Sequence, residues 1–446
     1  MKSAIWAGVL SMTLSFAPST AIAAESATKT PDESAIPPER AVQVFALART
    51  LCERDAGELW GASLCAPIML VDPKTRAILA SQADADGALK VSGAVFIGSL
   101  PAKDNAANTA THWSGTHWTQ LVWPLPEDAA RRSVLIAHEL FHRLHPQLRI
   151  AAVEGGDNTH LDTFEGRYAL QLEWRALAAA LLADDKQAQR LAIDDALAFR
   201  ADRYRRFPKA ANDEAALELN EGLAEYTGVM VGEATPERRL QAALHDLRVH
   251  VGDPSFVRSF AYATGPAYGL LLDRRAPGWR ERLATPASLY SLLSATAGAD
   301  ENAGTQTLGQ RAARYDGAAL RESEQVRELA RQRAFADNLR RFVDGPVLRV
   351  PLQHMNIQFD PRNLQALGEH GTVYPGLRIS DDWGTLEVSE GALMKPDWRT
   401  LVLVAPSKKT RGSEVSGAGW KLRLKSGWGL AAGERPGDRV LQQVAK

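Results

Sequence analysis

Between residues 129 and 144 the apolar side chains fall at Val134, Leu135, Ala137, Leu140, Phe141 and Leu144, and Pro146 stops the pattern. That three-to-four spacing predicts one helix with a single buried face. Longer runs of the same kind predict helices over 161–182, 186–207, 213–231 and 237–251, with an earlier one over 40–53. Short apolar or alternating runs at 67–72, 77–80, 94–98 and 118–123, separated by Asp, Gly and Pro, predict strands of one small sheet. Past residue 344 the texture changes to strand-like runs at 347–350, 372–379, 385–388, 401–404 and 420–424 with Gly and Pro between them. The fold class expected is α+β. A domain over 39–310 has a helix-rich second half, a charged amphipathic helix over 311–343 connects onward, and residues 344–446 form an antiparallel β domain. No internal repeat interrupts this order.

The N-terminus changes the picture of where the chain goes. Lys2, the apolar stretch 4–16 and Ala21-Ile22-Ala23 read as a secretory signal over 1–23, followed by a Ser, Thr, Pro and Glu-rich leader over 24–38. No later stretch reaches the roughly 20 apolar residues of a spanning helix, so a periplasmic or secreted protein without a membrane span is expected. Cys52 and Cys65 are the only cysteines and bracket a turn-rich region. In an oxidising compartment they predict a local disulfide, since no second Cys or His pair at finger spacing accompanies them. A formal net charge of −1 with intermixed signs gives no basic surface for nucleic acid.

Chemistry enters with His138-Glu139-Leu140-Phe141-His142 on the helix predicted over 129–144. Residues four apart share a helix face, so both imidazoles can reach one ion with Glu139 beside them. Zn2+ held this way keeps an open position where water loses its proton near neutral pH, and Glu139 is the general base that takes it. A third ligand is needed, and no His stands at the metzincin position, where the chain has Leu148. A carboxylate must therefore serve. Glu221 in Asn220-Glu221-Gly222-Leu223-Ala224-Glu225 is the leading candidate, with Glu225 on the same face to hydrogen-bond a ligand His. Glu165, Asp162, Glu218 and Glu173 are the competing carboxylates, each with a solvated-face or ion-pair reading beside it.

These motifs resemble those of the gluzincins, especially the aminopeptidase N and leukotriene A4 hydrolase group, whose metal helix is followed by a helix bearing Asn-Glu-Gly-x-Ala. Tyr262-Ala263-Thr264-Gly265, with Leu272-Asp273 after it, is similar to that group's Tyr-x-x-Gly element. The resemblance implies a zincin-like catalytic domain, a zinc metallopeptidase acting on peptide or protein substrates, and Tyr262 as oxyanion stabiliser; Tyr268 is the alternative donor. It covers three short motifs within 135–275. The spacer between His142 and Glu221 is far longer than in that group, which requires an insertion or a different helical arrangement.

Three further features carry two readings each. The aromatic and polar segment 108–118 precedes the strand leading into the metal helix and reads either as a substrate-pairing edge strand or as a Trp cluster. His160 reads as a proton donor or as a helix-start residue. Trp383, Trp398, Trp420 and Trp428 read as a binding face or as a sandwich core. The rival to an enzyme is a non-catalytic cell-envelope binding protein with a structural or vestigial metal site.

Overall fold

The computed structural model describes residues 36–101, 103–296, 306–360, 363–406 and 413–444. The expected signal and most of the leader lie outside them. The first helix, α1 (Pro38–Asp55), starts with Pro at its first turn and ends at Ala56 in a left-handed conformation. It buries Ala41, Val44, Ala48, Leu51 and Cys52. Cys52 is disulfide-bonded to Cys65, with Cα atoms 5.1 Å apart, which ties the end of α1 to the segment entering the sheet.

Six strands follow: β1 (Ile68–Val71), β2 (Ala77–Ala80), β3 (Lys90–Ser92), β4 (Val95–Ser99), β5 (Thr109–Trp113) and β6 (Thr116–Val122). They form one sheet in the order β3-β4-β2-β1-β6-β5, antiparallel except for β1 beside β6. Ser114 and Gly115, both at positive φ, turn β5 into β6 and leave β5 as an edge. One sheet face, with Ile68, Leu70 and Leu121, joins the main core, while Met69, Val71, Ile78 and Trp118 gather on the other.

Helix α2 (Ala129–Leu144) follows, its N-terminus capped by the Asp128 carboxylate on the Arg131 amide. The insertion expected after it is a helical hairpin, α3 (Phe164–Leu182) and α4 (Lys186–Arg206). Next, α5 (Ala210–Leu217), a π-helical turn (Glu218–Gly222) and α6 (Leu223–Gly232) run on as one interrupted helix where an unbroken one was expected. Then come α7 (Pro236–Val249), α8 (Ser259–Arg275), the short α9 (Leu289–Ser294) and α10 (Leu308–Ala313), and α11 (Gly317–Leu339). Helix α8 has no one-sided pattern because nearly all of Phe260 to Leu272 is buried.

The C-terminal strands are β7 (Val347–Pro351), β8 (Asn356–Phe359), β9 (Gln365–Ala366), β10 (Thr372–Tyr374), β11 (Leu377–Asp381), β12 (Gly384–Val388), β13 (Ala392–Met394), β14 (Thr400–Val404), β15 (Glu414–Gly417), β16 (Trp420–Leu424), β17 (Trp428–Ala432) and β18 (Arg439–Gln443). They form two sheets, β17-β18-β7-β14-β13-β10-β9 and β15-β16-β12-β11-β8. Pairing is antiparallel as expected, with the exception of parallel β18 and β7. Both sheets contribute to one core containing Leu348, Leu401, Ile379, Leu386 and Leu422. Trp383 and Trp420 are buried in it and Trp428 packs on its rim, whereas Trp398 is exposed. On the other face of the larger sheet, Phe335, Leu339 and Phe342 from the end of the α11 segment pack against Val347, Val373 and Val402.

Candidate metal centre

Two glycine contacts bring the site together. A side chain at Gly228 or Gly232 on α6 would run into the Val134 backbone of α2, so these residues let the two helices pack backbone to backbone. Further along, a Cβ at Gly265 would overlap the Gly222 backbone, which brings α8 against the π turn. The Gly of Asn-Glu-Gly and the Gly of Tyr-x-x-Gly are thus partners across one helix contact. Their neighbours Glu221 and Tyr262 meet for that reason.

His138, Glu139 and Glu221 are buried and His142 is partly exposed. The two imidazole Nε2 atoms lie 3.0 Å apart, and each is 3.5 Å from Glu221 Oε2. Donors around a tetrahedral zinc at about 2.0–2.1 Å would lie about 3.3 Å from one another, so the triangle has the size the ion requires. Two imidazole nitrogens pointed at each other and at a carboxylate suit a cation between them. The chemistry of the set, two imidazoles and one carboxylate, matches that of catalytic zinc sites.

The surrounding residues fix this geometry. His138 Nδ1 donates to Glu225 Oε2 at 2.7 Å, which leaves Nε2 to face His142 and Glu221. Burial opposes a charge on His138, but hydrogen bonds to Glu221 and Glu225 outweigh it and push its pKa up to about 10 with no ion between the groups. Burial also opposes charge on Glu221, yet His138, His142 and Tyr262 together hold its carboxyl far below the usual range. The Tyr262 hydroxyl donates to Glu221 Oε2 at 2.5 Å, and its ring stacks on the His138 ring at 5.5 Å. Burial and the neighbouring Glu221 raise the Tyr262 pKa, so the phenol stays protonated. Arg258 donates to Glu221 Oε1 at 2.9 Å. Glu139 Oε2 is buried without a hydrogen-bond partner, and burial raises its pKa. The charges of His138, His142 and Glu221 all act on this carboxyl, which places it beside the donor triangle.

The other expected residues are placed elsewhere. Tyr268 is fully buried and its hydroxyl donates to Glu173 Oε1 at 2.8 Å, so it is not brought to the donor triangle. Glu173 and Glu218 belong to a buried ion network with Arg200 and Arg203. Asp162 accepts from the Ser255 hydroxyl and the Phe256 amide, and Glu165 faces Arg206 at 3.5 Å. His160 pairs with Glu214 of the ion network at 2.8 Å. In the segment 108–118, β5 lies at the sheet edge and packs with β6 against α2, Trp118 is buried, and the His112 and His117 rings stack at 4.0 Å.

Sequence reasoning missed Arg258 and His250. Arg258 stands four residues before Tyr262, the spacing of one helix face, which is the signal that could have found it. The His250 ring is 6.1 Å from that of Tyr262, and its Nδ1 donates to Asp253 at 2.7 Å. A second cluster, His354, Asp381 and Asp382, lies in the β domain, but Asp381 is occupied as a loop cap by the amides of Gln353, His354 and Asp382. A cavity of about 670 Å³ lined by Gln171, Arg175 and Tyr315 contains none of the residues of the donor triangle. The chain matches no protein-family model, no curated protein and no solved structure.

Proposed function

We propose that this chain is a zinc-dependent hydrolase of peptide bonds with a zincin-like, gluzincin-type centre. One observation carries the reading: a compact triangle of His138, His142 and Glu221 with the unpartnered Glu139 oxygen beside it. Zinc held there supplies Lewis acidity and lowers the pKa of a water molecule. Glu139 takes the proton of the attacking water and passes it to the leaving amine. Its raised pKa suits a group that must both accept and release a proton. Tyr262, kept protonated, turns its hydroxyl from Glu221 Oε2, to which it donates in this structure, to the carbonyl oxygen as negative charge develops there. Arg258 holds the second oxygen of Glu221 and so favours coordination through Oε2 alone. The edge strand β5 beside α2 offers free backbone groups to an extended peptide, which favours a peptide over a small ester.

The disulfide and the signal-like N-terminus support action in the periplasm or outside the cell. Among the described residues no helix is long and apolar enough to cross a membrane. The test is bound zinc per chain, measured for wild type, Glu221→Ala and Glu139→Gln, together with cleavage of a mixed peptide library. The reading expects one zinc in wild type, loss of metal in Glu221→Ala, and full metal without cleavage in Glu139→Gln. Wild-type protein that takes up no zinc on reconstitution overturns it and leaves a non-catalytic envelope binding protein. Zinc-loaded protein with no hydrolysis leaves the same alternative with a structural metal.

A further inference from the structure

Glu214, Glu218, Glu221 and Glu225 succeed one another at four, three and four residues, so an unbroken α-helix would present all four along one face. The structure divides them. Glu214 and Glu218 turn to Arg203 and Arg200 of α4, while Glu221 and Glu225 turn to His138 and His142 on α2. The π turn over Glu218–Gly222 makes the division. A π-bulge inserts one extra residue, which rotates the downstream helix by about 100° relative to an unbroken α-helix. Glu225 receives the whole of that rotation and Glu221, inside the turn, part of it.

Such turns are uncommon and need something to hold them. Arg200 grips Glu218, the first residue of the turn, through both carboxylate oxygens at 2.7 and 2.8 Å. Its Nε bonds Glu173 of α3 at 2.7 Å, and its guanidinium lies 4.5 Å from the Tyr268 ring of α8, the helix that carries Tyr262. One fully buried side chain therefore ties the inserted hairpin to the turn that bears Glu221 and to the helix that bears Tyr262.

We propose that Arg200 is a positioning residue for the metal group: its two-pronged grip on Glu218 fixes the register of the π turn and so the direction of Glu221. This rests on the reading of His138, His142 and Glu221 as zinc ligands. The inserted hairpin then has a task in the site although it supplies no ligand. The neighbouring pair Arg203 and Glu214 is just as buried and belongs to the same network, but it attaches to α5 ahead of the turn.

That neighbour is the control. In the full chain, Arg200→Met/Glu218→Met and Arg203→Met/Glu214→Met each replace a buried ion pair with apolar side chains, a change that folded proteins often tolerate. Zinc affinity is measured by chelator competition, and the absorption bands of the Co2+-loaded protein report ligand geometry. Loss of a positioning partner is expected to weaken zinc about 10–100-fold and to alter the Co2+ bands in the Arg200/Glu218 variant. The Arg203/Glu214 variant is expected to stay within about twofold of wild type, well inside that range. Equal effects in the two variants, or none in the first, overturn the proposal. If the first variant does not fold, Arg200→Lys keeps the charge but loses the two-pronged bond. It is expected to weaken zinc about tenfold, where the matched Arg203→Lys stays within about twofold, and unchanged affinity, or an equal loss in Arg203→Lys, overturns the proposal. A wild type that binds no zinc overturns the metal reading itself, whereas a zinc-binding wild type with indifferent variants overturns this inference alone.

Discussion

Two tyrosines six residues apart on α8 have opposite surroundings. Tyr262 OH meets Glu221 at the donor triangle, and Tyr268 OH meets Glu173 inside the ion network. Six residues at about 100° each leave the two side chains well apart around the helix, so one helix serves both places. If Tyr262 stabilises the oxyanion, Tyr262→Phe lowers kcat by about 10²–10³ with zinc retained and KM little changed. Tyr268→Phe keeps kcat and loses about 1 kcal/mol of stability, because one buried carboxylate oxygen loses a donor. Steady-state kinetics and urea unfolding of the two variants separate the roles, and a comparable fall in kcat for both would remove the assignment of Tyr262.

At the scale of elements, the inserted hairpin joins the main core through Leu170, Trp174, Leu177, Ile193 and Phe199 and adds a buried ion network to that packing. Arg200, Arg203, Glu173, Glu214 and Glu218 are all fully buried. Burial opposes the charge on Glu214, but the Arg203 guanidinium and His160 outweigh it and hold the carboxyl down to about 2. A carboxyl that titrates lower in the folded than in the unfolded chain adds stability above its ordinary value of 4.5. That stability is lost as the pH falls toward 2. Glu214→Gln is expected to cost about 1.5–3 kcal/mol at pH 7, since it removes charge-assisted hydrogen bonds from Arg203 and leaves Glu173 as its remaining carboxylate partner. The gap from wild type should narrow between pH 4.5 and 2. Urea midpoints at pH 7 and pH 3 check this, and a gap that is the same at both would show that the Glu214 charge does not help to hold the hairpin.

Across the whole molecule, α11 is shared by its two halves. Glu324 accepts hydrogen bonds from Arg167 and Gln171 of α3, and the far end of the same helix brings Phe335 and Leu339 to the outer face of the larger C-terminal sheet. The stretch that reads in sequence as a connecting helix is packed at both ends. Melting either half would strip a buried side from α11, so the two halves should unfold together. Calorimetry is expected to give one transition, and Phe335→Ala/Leu339→Ala to split it into two. Two transitions in the wild type would mean that the helix does not couple the halves.

Features that depend on near neighbours along the chain are legible without the fold. Residues four apart share a helix face, so His138 and His142 were legible as a pair, as was the likeness of Glu221 to Glu225, and two cysteines flanking a short turn-rich stretch were legible as a disulfide. The helices of the middle and the strands of the β domain came from their periods. The all-buried α8 left no period to read, and β5 was visible only as an aromatic segment. Spacing alone puts the glutamates from 214 to 225 on one face, and the Asn-Glu-Gly-x-Ala likeness singles out Glu221 with Glu225; the structure turns that pair to α2 and sends Glu214 and Glu218 to α4. Arg200 and the Gly222–Gly265 contact belong to packing between segments distant in sequence, which spacing does not encode. The same holds for Tyr268, which the inserted hairpin draws away to Glu173.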